Sequence, residues 1–542
     1  MMQRPLNTRR VLLITTAAIL LLIAPSFLFF GKQTRGYSQR AKTAEAKPAT
    51  SSSPTDDTQR LSDLPADQEL RRKIDDAIAS SETRNARWGV FAVSVRDGRV
   101  LYARDAKLGF TPASNMKLYT TAVALDLLGP DFRWRTSVYA NAAPDQAGAI
   151  DGDLTLYGRG APDLELSATG QTVSSLNKLA DEIYKAGVRH VRGNIVGDES
   201  YFRGEPLGDG WLWNDVQWYF GAEVSALTIG GNEINVVVTP SAKAHEPATI
   251  KVQPETDYVD VVNETATVER GKPATIGITR GLSDNTIRVW GDFPLGGRGF
   301  GARISVHKPA LWAARLFRDQ LKARGIVVDG EAVSRDAKSN SEPDRFNPAG
   351  AVELASLTSK SLAEVAYRTN KQSLNLEAEL ILRTLGREKG AMAADTDPRR
   401  TALRGDDKAG SAVVRRWLEQ HGVPVEQLAF HDGSGLSRLN LVTPEATARL
   451  LVAMTKVSAA TVFRDTLPIG GRDGTLSSRL NSISNRVFAK TGMLTYTEAL
   501  SGYAVTSKGE LIAFSIICNN ESGSGDSTPT IDQIARLLAE TE

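Results

Sequence analysis

RVFAKTGMLTYTEALSGYAVTSKGELIAFSIIC, residues 486–518, holds three runs of strand-forming residues. Residues 486–492, 499–505 and 510–518 read as strands, with Ser507-Lys508-Gly509 as the turn before the last. Ile531, Ile534, Ala535 and Leu538 then recur at helical spacing and mark a closing helix. The beginning of the body mirrors this order. Leu70, Ile74, Ala77 and Ile78 share one face of a helix over 68–79, and Phe91, Val93 and Val95 alternate as in a half-buried strand. Asp97-Gly98 is a hairpin signal, and 100–103 returns. Strands at both ends, each flanked by a helix, predict one antiparallel sheet built from both termini, an α+β fold.

The middle has another character. From about 132 to 350, short strands (151–157, 233–238, 286–290) and glycine turns dominate, with helical stretches at 175–186 and 309–324. This predicts one or two β-rich domains, 132–350, inserted into a domain made of 67–131 and 351–542. Residues 354–385 and 409–456 return to helical periodicity.

Residues 11–30 are an apolar run preceded by Arg4, Arg9 and Arg10. About twenty residues span a bilayer's hydrocarbon core. Residues 1–31 are therefore expected to be a membrane anchor or a signal peptide, with the anchor favoured because no Ala-x-Ala site follows directly. The arginines place that end in the cytoplasm and the rest of the chain outside it. Residues 32–66 read as a flexible linker, too polar to bury a core.

The chain has 542 residues, 41% hydrophobic and 24% charged, with 65 basic and 63 acidic side chains. That balance gives no chain-wide footprint for nucleic acid. The one cysteine, Cys518, and five scattered histidines offer no disulfide and no metal-ligand spacing, so neither a metal nor a cofactor is expected.

Serine and lysine carry the chemistry. S-x-x-K occurs twice, at Ser114-Asn115-Met116-Lys117 and at Ser175-Leu176-Asn177-Lys178. On a helix, residues three apart share a face, so the lysine can reach the hydroxyl. At Ser175 the apolar face is Leu176, Leu179, Ala180 and Ile183, which leaves Lys178 in water. At Ser114, Pro112 announces a helix start, and 118–128 is apolar almost all round. A lysine at the foot of such a helix is desolvated and its pKa falls. Lys117 is then a plausible base for Ser114.

Lys490-Thr491-Gly492 lies near the end of a predicted strand, where lysine and threonine suit a substrate carboxylate and glycine allows close backbone approach. A third element, S-x-N, has three candidates. Ser175-Leu176-Asn177 sits in the helix set aside above. Ser283-Asp284-Asn285 reads as a hairpin turn. Ser373-Leu374-Asn375 opens the helical stretch 376–385, and Ser373 and Asn375 are preferred.

S-x-x-K, S-x-N and K-T-G in this chain order resemble the active-site serine penicillin-binding proteins and serine β-lactamases. Thr369–Glu379, the loop Asp432-Gly433-Ser434-Gly435-Leu436-Ser437-Arg438 and Gly471-Arg472-Asp473-Gly474-Thr475-Leu476 narrow the likeness to the D-alanyl-D-alanine carboxypeptidase/endopeptidase family, low-molecular-mass class C penicillin-binding proteins with large insertions. The resemblance implies a penicillin-binding fold with a helical lobe, and a serine DD-peptidase acting on peptidoglycan stem peptides and inhibited by β-lactams. It implies Ser114, Lys117, Ser373, Asn375 and Lys490 as catalytic. It gives Thr491, Gly492 and Met493 as substrate-binding, with the backbone N–H groups of Ser114 and Met493 as the oxyanion hole. Met493 stands where a small or hydroxyl residue is common, which preserves a backbone role only. The alternatives are an inert scaffold on the same fold, and a β-lactamase or esterase.

Overall fold

A computed structural model describes residues 61–165, 174–337, 345–390, 405–521 and 525–541. The apolar run 11–30 and the linker as far as residue 60 lie outside them; residues 61–66, expected as linker, belong instead to the body, with Leu61 bridged to Val100, Ser62 hydrogen-bonded to Asp67 and a helix starting at Pro65. Five strands form one antiparallel sheet in the order Val487–Leu494, Thr497–Val505, Leu511–Asn519, Arg87–Ser94, Val100–Arg104. The two ends of the chain pair in the middle, with Arg87 opposite Asn519 and Ser94 opposite Ile512.

Both faces of this sheet are covered. Trp88, Val90 and Ala92 join one core with helices Pro65–Ala79 and Thr528–Glu540. Phe91 and Val93 point the other way, into the core of helices Met116–Leu127 and Pro444–Met454. The expectation of a half-buried strand at 91–95 is thus corrected. A sheet between two helical layers buries successive side chains on opposite faces, each contributing about 1.5–3 kcal/mol when large and apolar.

The helical reading of 354–361 is also corrected. Val352–Ser361 is a strand, paired antiparallel with Arg133–Ala140 at the edge of a second five-stranded sheet. The helix begins only at Leu362, and the boundary has a chemical cause. Ser361 Oγ accepts the Glu364 N–H at 3.3 Å, and the Glu364 carboxylate accepts the Ser361 N–H at 2.9 Å. Helix Leu362–Gln372 then breaks and helix Asn375–Lys389 follows. Among the described residues, no helix is long and apolar enough to cross a membrane.

Candidate active site

Ser114 sits in a short 3-10 turn, Ala113–Asn115, that runs directly into helix Met116–Leu127. Every residue from Met116 to Leu125 is buried, Lys117 completely. Its Nζ lies 3.0 Å from Ser114 Oγ, 2.7 Å from Asn375 Oδ1 and 2.7 Å from the Ser434 carbonyl. Burial brings the pKa of Lys117 down to about 7, against the opposing pull of the Asp432 and Glu379 carboxylates. At neutral pH a substantial share of this amine is unprotonated, the condition a general base needs.

Two glycines fix the backbone at Ser114. A Cβ on Gly492 would fall 2.7 Å from the Pro112 carbonyl oxygen, and one on Gly435 would fall 1.8 Å from that of Ala113. The strand Val487–Leu494 and the loop after Asp432 therefore press on the two residues before Ser114. Side chains of any size would hold them off.

Ser373 does not open a helix as expected. It ends helix Leu362–Gln372 in the left-handed region, φ 60°, ψ 43°. This uncommon conformation for serine turns its hydroxyl toward the sheet. Ser373 Oγ accepts from Lys490 Nζ at 2.8 Å, and Lys490 also donates to the Thr491 carbonyl at 2.9 Å. Of the two residues of this S-x-N element, Ser373 meets Lys490 and Asn375 meets Lys117. Lys490 is wholly buried, and burial, then the charge of Lys117, hold its pKa well below the usual lysine range. Thr491 Oγ1 is 2.7 Å from Thr475 Oγ1, which brings a second hydroxyl to the same edge. Met493 is exposed.

Several groups in the site escaped sequence reasoning. Glu379 Oε1 accepts the Gly433 and Ser434 N–H groups at 3.0 and 2.8 Å. Burial, then the neighbouring Asp432 charge, push its carboxyl up to about 7. Asp432 accepts from the N–H groups of Gly435 (2.8 Å) and Ser437 (2.6 Å), from Asn440 Nδ2 (2.6 Å) and from Trp211 Nε1 (2.9 Å). Together these carboxylates hold the loop whose Ser434 carbonyl meets Lys117. Asn375 Nδ2 donates to the Phe220 carbonyl at 2.9 Å. The sequence signal for Glu379 and Asp432 was two polar-rich stretches that had no role assigned. The backbone carbonyls left no signal at all. Ser373 and Asn375 also border a cleft of about 490 Å³, walled by Tyr219, Phe220, Arg303 and Arg368.

The rejected candidates lie elsewhere. Ser175 Oγ accepts the Glu165 N–H at 3.0 Å, and Lys178 is exposed. Ser283-Asp284-Asn285 joins the antiparallel strands Gly277–Arg280 and Thr286–Pro294, where Asp284 Oδ1 accepts the Thr286 N–H at 2.7 Å. Among the described residues, no group of three or more His, Cys, Asp or Glu is placed to hold a metal ion.

Comparison with known proteins gives a consistent picture. Residues 70–541 match the model of the D-Ala-D-Ala carboxypeptidase 3 (S13) family. A D-alanyl-D-alanine carboxypeptidase of Actinomadura sp. (strain R39) is 35% identical over 485 residues, covering 87% of this chain and 85% of that protein. The D-alanyl-D-alanine carboxypeptidase DacB of Haemophilus influenzae is 27% identical over 439 residues, 80% of this chain and 85% of that protein. In three dimensions the chain is similar to the crystal structure of penicillin binding protein 4 from Haemophilus influenzae, with a TM-score of 0.73 at 24% identity, covering 86% of this chain and 98% of that one. That protein has also been solved in complex with a β-lactam.

Proposed function

Because the chain belongs to the D-Ala-D-Ala carboxypeptidase 3 (S13) family, whose members are serine hydrolases, we propose that Ser114 is its nucleophile and that Lys117, Ser373, Asn375 and Lys490 complete the reaction. The observation that carries this assignment is the 3.0 Å approach of the wholly buried Lys117 Nζ to Ser114 Oγ.

The geometry supports the following steps. Ser114 Oγ attacks the carbonyl between two D-alanines as Lys117 takes its proton. The Ser114 and Met493 N–H groups receive the oxyanion, and the close packing of Gly492 on Pro112 supports their convergence. The substrate's terminal carboxylate binds at Lys490, Thr491 and Thr475. Its charge favours the ammonium form of Lys490, against the burial and the Lys117 repulsion that lower that lysine's pKa, so Lys490 is a proton source once substrate is bound. Ser373 then gives a proton to the leaving amine and recovers one from Lys490. The proton gained by Lys117 balances the one Lys490 gives up. Water hydrolyses the acyl-enzyme. Asn375 holds Lys117 and offers its amide to the substrate. Gly492 acts through its backbone alone.

In this reading residues 67–131 and 362–542 form the catalytic domain; the inserted region, expected to end at 350, runs on through the strand Val352–Ser361, which pairs with Arg133–Ala140. The substrates are peptidoglycan stem peptides and their D-alanyl cross-links, and β-lactams acylate the same serine. The body works outside the cytoplasmic membrane, held there by residues 11–30. The apolar length of that run and the arginines before it support the anchor. Fluorescent penicillin should label Ser114, and the wild-type protein should release D-alanine from a pentapeptide. D-alanine release that persists in Ser114→Ala would overturn the assignment. A mature N-terminus mapped downstream of residue 30 would replace the anchor by a cleaved signal.

A further inference from the structure

Lys117 has three acceptors, and two of them are placed by groups from outside the catalytic lobe. The chain leaves the strand Ile195–Asp198 and makes a long excursion, residues 199–224, before re-entering the inserted region. It closes on itself where Val224 N–H donates to the Pro206 carbonyl at 2.8 Å. Along the way it grips the catalytic lobe repeatedly. The Arg203 N–H meets Asp406 at 2.8 Å, Arg383 Nη2 donates to the Glu205 carbonyl at 2.7 Å, and Asp209 pairs with His431 at 2.8 Å.

Two further contacts reach the catalytic amine itself. Trp211 Nε1 donates to Asp432 Oδ2 at 2.9 Å, and Asp432 gathers the N–H groups of the loop that presents the Ser434 carbonyl to Lys117. The Phe220 carbonyl accepts from Asn375 Nδ2 at 2.9 Å. An amide has one donor end and one acceptor end. With Nδ2 committed to Phe220, Oδ1 is the atom that faces Lys117, and a flipped amide would lose both bonds.

The excursion is in turn moored to the body of the inserted region. Arg280 is 4% exposed. Its Nη2 donates to the Val216 carbonyl at 3.0 Å, and its backbone N–H donates to Gln217 Oε1 at 3.1 Å. Ser305 Oγ also donates to the Val216 carbonyl, at 2.6 Å, and Ser305 N–H to that of Gln217 at 3.0 Å. The chain from Val216 to Phe220 is short, so these bonds set where the Phe220 carbonyl points.

We propose that residues 199–224 are a positioning strap for the catalytic amine: Trp211 holds Asp432, whose loop presents the Ser434 carbonyl to Lys117, the Phe220 carbonyl holds Asn375 against Lys117, and Arg280 anchors the strap. The large insertion is then part of the catalytic apparatus. Trp211 and Arg280 are positioning residues that touch neither substrate nor reacting atoms. This rests on the reading of Lys117 as the base for Ser114.

The test is stopped-flow acylation of the full-length protein by a chromogenic β-lactam, resolving the limiting acylation rate from the apparent dissociation constant of the first complex. Trp211→Phe keeps an aromatic ring in the cluster with Phe202 and Leu380 and removes the N–H together with part of the indole's bulk. It should lower the limiting rate about tenfold, the order expected for one hydrogen bond to a carboxylate, with the dissociation constant unchanged. Arg280→Met should do the same from the far side of the strap, and Arg280→Lys should recover part of the loss. Trp290→Phe, on the half-exposed strand Thr286–Pro294, should behave as wild type. Burst stoichiometry and melting temperature separate slow acylation from lost protein. A wild-type limiting rate in Trp211→Phe would overturn the strap, as would a deficit matched by an equal loss of burst. Should the wild-type protein itself acylate at a residue other than Ser114, the reading of the site would fall first, and the labelled peptide shows which has failed.

Discussion

Ser114-Asn115-Met116-Lys117 and Ser175-Leu176-Asn177-Lys178 share one spacing on two helices of the same molecule. In the first, the lysine is sealed inside a helix buried for ten successive residues, and two other parts of the chain, at Asn375 and Ser434, converge on its Nζ beside Ser114. In the second, the helix Ser174–Lys185 buries one stripe, the lysine stands in solvent, and the serine caps a backbone N–H of Glu165. The spacing supplies reach in both places. Desolvation, which turns a lysine from a cation into a base, comes only where the helix is enclosed. A local pattern therefore carries chemistry when the surrounding fold both dries the lysine and gives its hydrogens somewhere to go.

The sharpest way to break this contrast is to remove each serine. Ser114→Ala should abolish penicillin labelling and D-alanine release. Ser175→Ala should leave both intact, because it removes one partly exposed hydrogen bond whose net worth is about 0.5–1.5 kcal/mol of stability. Mass spectrometry of the labelled protein decides the matter: covalent penicillin on a peptide containing Ser175 would reverse it.

The same contrast extends to the two remaining S-x-N segments. Ser373→Ala should cut D-alanine release by about 10²–10⁴-fold, the usual cost of losing a positioned proton donor, while penicillin still binds more weakly. Ser283→Ala should change activity by less than about threefold, since exposed turn substitutions stay near ±0.5 kcal/mol. Steady-state rates on a D-Ala-D-Ala pentapeptide separate the two, and an inert Ser373→Ala would sink the proton-relay role.

These pairs also show what a sequence discloses. The sheet from both termini was legible because its strands alternate and its turns are explicit, as at Asp97-Gly98. The side chains proposed as catalytic were legible because the chemistry demands particular residue types at fixed spacings. Residues 354–361 were misread because the neighbouring helical periodicity was extended across them; Ser361 and Glu364, a capping box, marked the true boundary. The acceptors of Lys117 beyond Ser114 were partly out of reach. The Ser434 and Phe220 carbonyls have no side-chain signature, and Ser434 is 317 positions from Lys117 in the chain. Ser373's left-handed backbone is likewise a product of two helices meeting, which no run of residues around it announces.

A smaller effect comes from the backbone that frames Ser114. Gly492→Ala would place a methyl 2.7 Å from the Pro112 carbonyl oxygen, a contact Cβ atoms essentially never make, and that oxygen belongs to backbone. The strand must retreat, at an overpacking cost of about 1–3 kcal/mol. Melting temperature should fall and acylation should slow by about tenfold or more, because the oxyanion donor at Met493 moves with the strand. Unchanged acylation with a lowered melting temperature would detach Gly492 from the oxyanion hole and leave it a packing residue.

The subtlest probe leaves the fold and all the proposed catalytic groups in place and alters only the field around Lys117. Its pKa near 7 is the balance of burial, which lowers it, and two carboxylates, Asp432 then Glu379, which raise it. As a base Lys117 must be unprotonated, so the acylation rate should rise with pH and level off above about 7. Glu379→Gln retains an acceptor oxygen for the Gly433 and Ser434 N–H groups and deletes the charge. Removing a negative neighbour disfavours the ammonium, so the pKa of Lys117 drops and the acid limb of the acylation profile moves to lower pH. Because the Glu379 carboxyl itself sits near 7, its charge acts on Lys117 only at and above neutral pH, so between pH 7 and 8 the variant should stand closer to its plateau rate than the wild type does. Lys178→Gln, in the exposed copy of the pattern, should leave the profile where it was. A limb that stays put or climbs in Glu379→Gln would show that this carboxylate holds the loop without tuning the lysine, and the dryness of the Ser114 helix would then have to account for the pKa with Asp432 alone.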